Sequence, residues 1–344
     1  MVQWWLDFAI KRREKNLNDA FGSLQAGDVF SARGRRVLLT GAAGHIGSVI
    51  AKVFALNGAE MFLTDINQAG LDEVCAECAA AGAKARAHAA DLRSTDAMKA
   101  LAQETLAFFD NRVDALIHCG GLTWSYPMLH EDDEAFDRHF QTSVRSFWDL
   151  ARALLPSVKA AGGGSITVIA STHGHRADGA CALYAASKAA LLSMTGTLAG
   201  EFGADGIRVN SVSPGWILGY KPKYYWDRAL DLIKPEFRAE AAEKVAGHQD
   251  ELAKLIQTLP RVGRPEDVAM ACLYLTSDAA RFVTGADIVL DGGKTRVQFE
   301  SRAGIAQMRR RYEAEDATHQ YLHNLPLEYW LSGELPPWHH KRHK

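Results

Sequence analysis

The sequence is poor in cysteine, with five in 344 residues. Cys119, Cys181 and Cys272 are scattered through apolar runs, whereas Cys75 and Cys78 form one C-x-x-C in an alanine-rich stretch with helical periodicity. A structural zinc site needs four ligands, and no second pair of cysteines has such a spacing. We therefore expect no metal site, and we interpret the cysteines as reduced packing thiols of a cytoplasmic protein.

An excess of one charge sign and a long hydrophobic run are also missing. The 39 Lys and Arg nearly balance the 41 Asp and Glu, so no clustered positive field for nucleic acid or anionic membrane is expected. The apolar stretch in residues 1–10 is too short to span a membrane, and its basic residues, 11–13, follow it instead of preceding it as in a signal peptide. Trp4, Trp5 and Phe8 share one helical face, which predicts a packing or oligomer helix; an interfacial membrane helix is the alternative.

Residues 35–295 alternate short apolar runs with amphipathic helical patterns. Such alternation predicts βαβ units, and right-handed crossovers then give a doubly wound parallel α/β sheet of the Rossmann type with helices on both faces. Residues 1–34 and the aromatic and basic residues 296–344 are expected to be extensions outside this single domain. The predicted strands are residues 37–40, 61–64, 84–90, 115–119, 165–170, 208–213 and 287–290.

The first predicted strand runs directly into the glycine-rich stretch TGAAGHIG. Gly41, Gly44 and Gly47 suit a dinucleotide-binding turn, with the pyrophosphate at the N-terminus of a helix that begins near His45. The second strand ends in Asp65, a carboxylate that can accept both adenosine ribose hydroxyls and would repel a 2′-phosphate. We therefore predict NAD as cofactor in preference to NADP; a helix N-cap is the alternative role of Asp65.

Tyr184 and Lys188 are four residues apart at the start of a helical run, so they share one helix face. A free tyrosine has a pKa near ~10, and a nearby ammonium favours the phenolate, which brings the group toward a useful acid/base. Ser171 ends the fifth strand at the carboxyl edge of the sheet, where ligands of such folds bind. These three residues predict hydride transfer between a nicotinamide and a carbinol or carbonyl carbon.

Together with the stretches at 208–217, 261–269 and 283–293, these motifs resemble the short-chain dehydrogenase/reductase family over residues 35–295. The resemblance implies that Tyr184 is the acid/base, that Ser171 orients the carbonyl and that Lys188 binds the nicotinamide ribose. It also implies a homodimer or homotetramer that pairs through helices at about 132–155 and 182–203. The cofactor contacts implied in the same way are Gly41, Gly44, His45, Ile46, Asp65, Ile66, Asp91, Leu92, Cys119, Gly120, Gly121, Tyr184, Lys188, Pro214, Gly215 and Ile217.

The chain departs from the family pattern at four places. His45 stands where the middle glycine usually falls, and the resulting glycine spacing is nearer that of sugar-nucleotide epimerases. His118–Gly121 replace an Asn-Asn-Ala-Gly segment, and Gly219 replaces a threonine. The asparagine that completes the usual catalytic tetrad, and holds a water in a proton relay to the lysine, falls at Ser143. Either Ser143 holds that water with its hydroxyl, or the relay runs differently.

The expected substrate is a polar small molecule of the sugar, polyol or hydroxy-acid type. Residues 218–259 would form a lid over it, with His173, Trp216 and Tyr220 as candidate contacts; an exposed amphipathic segment explains the lid composition equally well. Two alternatives to a dehydrogenase remain: an epimerase or dehydratase that acts on a sugar nucleotide and retains its NAD, and a non-catalytic NAD-binding scaffold.

Overall fold

The computed structural model describes residues 26–122, 128–176, 181–218 and 257–296. Its centre is one sheet of seven strands in the order β3-β2-β1-β4-β5-β6-β7, and every neighbouring pair is parallel. This confirms the predicted fold class, and each predicted strand lies within two residues of the observed one. The strands are β1 Arg36–Thr40, β2 Glu60–Asp65, β3 Ala85–Ala89, β4 Ala115–His118, β5 Gly164–Ile169, β6 Ile207–Pro214 and β7 Asp287–Leu290.

Helices connect the strands and cover both faces of the sheet. Within the described ranges, no helix is long and apolar enough to cross a membrane. Residues 1–25 and 297–344, and with them most of both predicted extensions, lie outside the described part of the chain, as do residues 219–256 of the predicted lid. The helices are α1 Ala26–Val29, α2 Gly47–Leu56, α3 Gln68–Ala80, α4 Thr95–Phe108, α5 Ala135–Phe140, a π-helical turn Gln141–Arg145, α6 Ser146–Ala160, α7 Ala182–Phe202 and α8 Pro265–Thr276.

The apolar core lies on both sides of the sheet because side chains alternate along each strand. Val37 and Leu39 of β1 pack with α2 and α8 on one face, whereas Leu38 between them packs with α4, α6 and α7 on the other. All three are fully buried. The central strands are therefore apolar at consecutive positions, as expected of a parallel sheet covered on both sides.

Polar residues appear where the central strands reach their carboxyl ends. Thr40 ends β1, Asp65 ends β2 and His118 ends β4, while Ser171 follows β5 by two residues. Because all strands are parallel, these ends meet at one edge of the sheet, which is where ligands bind in doubly wound folds. This edge carries the candidate site.

Candidate active site

The glycine turn after β1 is shaped by close backbone contacts. Gly41 has a φ of 67°, and a Cβ added there would lie 2.9 Å from the amide nitrogen of Gly120. A Cβ at Gly47 would collide with the carbonyl oxygen of Gly41. A side chain at Gly41 would therefore push the turn away from the segment after β4, and a side chain at Gly47 would push α2 away from the turn.

Helix α2 begins without a side-chain cap, which distinguishes it from the two helices that follow. Its N-cap residue, Ile46, offers no acceptor, whereas Asn67 caps α3 and Ser94 caps α4 through side-chain oxygens. The first amides of a helix lack partners inside the helix and attract an anion. The N-terminus of α2, at Gly47, thus fits the pyrophosphate of a dinucleotide and lies two residues beyond the predicted start near His45.

His45 occupies its unusual place in the turn without backbone strain. Gly41 is the residue of this turn with positive φ, so position 45 does not require glycine. Burial lowers the pKa of His45, and among the described residues its buried Nε2 atom has no hydrogen-bond partner. A buried polar atom usually has a partner, so this orphan fits a polar group of a bound cofactor.

Asp65 bridges the glycine turn and the start of the next loop. Its Oδ2 accepts the amide of Ala43 at 3.2 Å, and its Oδ1 accepts the amide of Asn67 at 3.0 Å. Asn67, not Asp65, is the N-cap of α3, so the alternative role of Asp65 as a helix cap is wrong. The carboxylate is held beside the turn, in the place where a ribose-binding group is needed.

Arg93, a residue that would favour a 2′-phosphate if it reached the ribose, is paired with Asp91. The two side chains make a two-pronged contact at 2.7–3.0 Å, and this bond with Arg93 lowers the pKa of Asp91. Leu92 is buried beneath Gly120, where an added Cβ would collide with its Cδ1 atom. The contact of Leu92 with Gly120 packs this segment against residues 119–121, while the Asp91 pairing occupies the Arg93 side chain.

The segment after β4 is tied to β1 by one hydroxyl. Thr40 Oγ1 accepts the amides of Cys119 at 3.2 Å and Gly120 at 3.0 Å. Burial raises the pKa of the Cys119 thiol to about 12, so this cysteine is not a thiolate at neutral pH. Residues 119–121 therefore form a shelf of neutral backbone beside the glycine turn.

Ser171, His173 and Tyr184 come together around the carboxyl end of β5. Ser171 is buried, and its Oγ accepts the His173 amide at 3.2 Å and lies 3.3 Å from His173 Nδ1. The His173 ring meets Tyr184 edge-on, with centroids 5.5 Å apart. His173 therefore connects two of the predicted catalytic residues.

Lys188 is buried one helical turn after Tyr184. Its Nζ donates to the Ile169 carbonyl at 2.8 Å and lies 5.8 Å from the centre of the Tyr184 ring. Burial lowers the pKa of Lys188 to about 8. The sequence prediction that these two side chains share a helix face is thus met, and the ammonium sits in a poorly solvated place, where charge interactions are strong.

Ser143 lies in the π-helical turn, fully buried and close to the lysine. A Cβ added to Gly121 would lie 3.2 Å from both Ser143 Oγ and Lys188 Nζ. Within the described part of the chain, Ser143 Oγ has no hydrogen-bond partner. The small space beside Gly121 is therefore bordered by a free hydroxyl and an ammonium.

The loop after β6 packs against the turn after β7. A Cβ at Gly215 would lie 2.7 Å from Asp291 Cβ, so the loop passes close to that turn. Ile217 and Gly263 form an isolated parallel β-bridge. Its hydrogen bonds join Gly263 to the Trp216 carbonyl and the Leu218 amide, on either side of Ile217. Trp216, a predicted substrate contact, packs against Leu218, while Tyr220 lies beyond the described residues.

Sequence reasoning missed the anchoring of the loop that follows Ser171. His175 Nε2 lies 2.7 Å from Asp287 Oδ2, and Asp287 Oδ1 accepts the hydroxyls of Ser211 at 2.6 Å and Ser213 at 2.9 Å. The signal was the alternation of serines on β6, whose hydroxyls need partners once buried. This cluster ties the Ser171 loop to the edge strand β7.

Sequence reasoning named His118 only as a departure from the family pattern and assigned no contact to it or to Thr40. Thr40 closes the otherwise apolar run VLLT, and His118 closes ALIH. Both are fully buried, and Thr40 Oγ1 lies 3.1 Å from His118 Nδ1. A polar residue that ends a buried strand is the signal that could have identified them.

Comparisons with known proteins agree with this geometry. The family model for short chain dehydrogenase matches residues 35–220, and a model described as Enoyl-(Acyl carrier protein) reductase matches residues 231–295. Oxidoreductase UcpA of Salmonella typhimurium is 32% identical over 266 residues, which are 76% of this chain and 95% of that protein.

Two solved structures share the fold over most of the chain. One is a 7α-hydroxysteroid dehydrogenase complexed with NADH and 7-oxo glycochenodeoxycholic acid, with a TM-score of 0.68, 29% identity and coverage of 79% of this chain and 98% of the other. The second is L-sorbose reductase from Gluconobacter frateurii complexed with NADPH and L-sorbose, with a TM-score of 0.71, 25% identity and coverage of 78% and 100%. The chain therefore belongs to the short-chain dehydrogenase/reductase family, whose oxidoreductases bind NAD(P) and act on hydroxyl or carbonyl groups.

Proposed function

We propose that the protein transfers a hydride between NAD and the carbinol or carbonyl carbon of a polar small molecule of the sugar, polyol or hydroxy-acid type. The observation that carries this proposal is the buried Lys188 ammonium beside Tyr184, with Ser171 joined to Tyr184 through His173. NAD supplies the hydride acceptor at its nicotinamide. The L-sorbose bound by the structural relative supports a polyhydroxylated substrate.

The cofactor would lie along the carboxyl edge of the sheet. The uncapped N-terminus of α2 and the orphan Nε2 of His45 suit its pyrophosphate, and Asp65 suits the adenosine ribose. With Arg93 engaged by Asp91, no basic side chain is proposed at the 2′ position, which favours NAD over NADP.

Three residues would act at the substrate hydroxyl, and one of them, Tyr184, would exchange its proton. Tyr184 accepts that proton during oxidation and returns it during reduction. Lys188 favours the phenolate form of Tyr184 by its positive charge. Ser171 holds the substrate oxygen by a hydrogen bond, and its hydroxyl is already placed by the His173 amide.

Ser143 is proposed to take the place of the tetrad asparagine. Its free hydroxyl and the Lys188 ammonium border one small space beside Gly121, which suits a water that passes a proton between them. This assignment makes Ser143 an accessory to Lys188 without contact to the substrate.

Two alternatives are disfavoured by particular observations. An epimerase or dehydratase that retains its NAD is suggested by the glycine spacing, but the two solved relatives described above are a dehydrogenase and a reductase. A non-catalytic scaffold would have no use for a lysine ammonium buried beside a tyrosine, because burying a charge without a function is costly.

A homo-oligomer is proposed as well. On α5, Phe136 and Phe140 stack with centroids 4.5 Å apart. Phe136 is 55% exposed and Trp148 is 47% exposed. Phe140, Trp148 and Met194 of α7 line one shallow groove. Adjacent exposed aromatics of this kind favour an association surface. They lie in the first of the two segments that the family resemblance implied, about 132–155, and Met194 lies in the second.

The proposed function is tested by a substrate panel. Purified protein is mixed with NAD or NADP and with polyols, sugars, sugar acids or hydroxy acids, and free NADH is followed by its absorbance. We expect NADH release with at least one class, faster with NAD than with NADP. NAD that remains bound, with substrate isomerised but no NADH released, would support the epimerase instead.

A further inference from the structure

His118 joins the cofactor shelf to the helix turn that carries Ser143. Its Nδ1 lies 3.1 Å from Thr40 Oγ1, and its Nε2 lies 3.1 Å from the Ser143 carbonyl oxygen and 3.4 Å from Ser146 Oγ. The ring is fully buried against Phe147. One side chain thus spans from β1 to α6 across the end of β4.

The partners determine which ring nitrogen carries the proton. Thr40 Oγ1 already accepts two amides, from Cys119 and Gly120, so its own hydrogen is left to be donated to His118 Nδ1. A carbonyl oxygen can only accept, so Nε2 must carry a hydrogen and donate it to Ser143. Ser146 donates its hydroxyl to the Thr142 carbonyl at 2.6 Å, which leaves its oxygen to accept weakly from the same Nε2–H.

A second proton on this ring is strongly disfavoured. Burial, and then the nearby Lys188 ammonium, lower the pKa of His118 to about 3. The other titratable neighbour in the network is Cys119, whose thiol stays protonated. The ring is therefore neutral through the working range and adds no positive charge beside the lysine.

We propose that His118 is a positioning residue, locked as the neutral Nε2–H tautomer, that holds the Ser143 turn in register with the Gly120–Gly121 shelf. Its Nδ1 accepts from Thr40, which also holds the shelf on which the cofactor would lie. Its Nε2 donates to the Ser143 carbonyl and so fixes the turn that borders the space between Ser143 and Lys188. The functional part of this inference rests on the proposed function; the tautomer itself does not.

The tautomer is read directly from the ring nitrogens. Protein labelled with ¹⁵N-histidine is compared by NMR with the His118→Gln variant, which identifies the signals of His118 by their absence. We expect Nε2–H shifts that stay constant from pH 5 to pH 9. A ring that titrates in that range, or that carries its proton on Nδ1, would overturn the proposal even if no substrate is ever found.

Two substitutions separate the two sides of the ring. His118→Asn keeps an acceptor near the Nδ1 position, and His118→Gln keeps a donor near the Nε2 position. We expect His118→Asn to bind NAD within about threefold of wild type by calorimetry but to lose about tenfold in kcat. His118→Gln should show the reverse: kcat within about threefold and NAD binding weakened about tenfold.

A histidine with a purely structural role would not give these opposite effects of the two variants on kcat and on NAD affinity. If both variants lose kcat and NAD affinity in equal proportion, or if neither changes, the positioning role is wrong. If the wild type binds NAD but turns over no substrate in the panel, the proposed function fails while the NMR and calorimetric arms still decide the role of His118.

Discussion

The stability of the protein in mild acid should depend on His118. The ring is neutral in the folded protein because burial lowers its pKa from 6.5 to about 3. In the unfolded chain the same ring is free to bind a proton below pH ~6.5. Since the unfolded state binds more protons in that interval, this residue contributes stability above pH ~6.5 that is lost as the pH falls toward 3.

The size of the effect follows from these two values. Between pH 7 and pH 5, protonation of one unfolded histidine stabilises the unfolded state by ~2 kcal/mol, while the folded ring stays neutral. In urea denaturation at pH 5, 6 and 7, the free energy of unfolding of His118→Gln should therefore fall by ~2 kcal/mol less than that of wild type between pH 7 and pH 5. The variant will be less stable than wild type at pH 7, so the slope against pH is the quantity to compare.

A matched control removes a histidine from the protein surface. His88 lies on β3, partly exposed and 3.3 Å from Glu104, so His88→Gln reports the effect of deleting an imidazole as such. If wild type and His118→Gln lose stability in parallel between pH 7 and pH 5, the ring is not held neutral, and the hydrogen-bond assignment for His118 is wrong.

Three further outcomes are expected at the cofactor and catalytic positions. Asp65→Ser should lower the ratio of NAD to NADP affinity at least tenfold, measured by calorimetry, because the carboxylate no longer repels a 2′-phosphate; an unchanged ratio would remove Asp65 from the ribose site. Gly121→Ala should reduce kcat at least tenfold, because its Cβ enters the space between Ser143 and Lys188, whereas the control Gly196→Ala, with no atom within 4 Å of its added Cβ, should retain wild-type kcat. Because burial lowers the pKa of Lys188 from 10.5 to about 8, the stability of wild type relative to Lys188→Met should rise by up to ~3 kcal/mol between pH 8 and 10.5 in urea denaturation, and a constant difference would contradict the burial of the ammonium.

The fold and much of the site could be predicted because strong local signals pointed the same way. Strands such as VLLT and SITVIA are apolar runs between helical patterns, and their parallel arrangement follows from the βαβ alternation. The glycine turn, Asp65 and the Tyr184–Lys188 pair have fixed spacing in the sequence. These residues lie at the predicted edge of the sheet; their roles there stay predictions.

The rest depended on contacts between residues far apart in the sequence. Thr40 and His118 are 78 residues apart, and no local pattern says that their side chains meet. The π-helical turn at Gln141–Arg145 adds one residue per turn locally, which a search for 3.6-residue periodicity does not detect. The Asp287 cluster was missed for the same reason, because its members come from three separate segments: the loop after β5, β6 and β7.

The acid/base role of Tyr184 is tested by the kinetic effect of Tyr184→Phe on a substrate from the panel. The phenyl ring keeps the packing against His173 but cannot exchange a proton, so kcat should fall 10²- to 10⁴-fold while NAD affinity by calorimetry stays within a few-fold. If kcat remains within a few-fold of wild type, Tyr184 is not the acid/base, because another residue must then handle the proton.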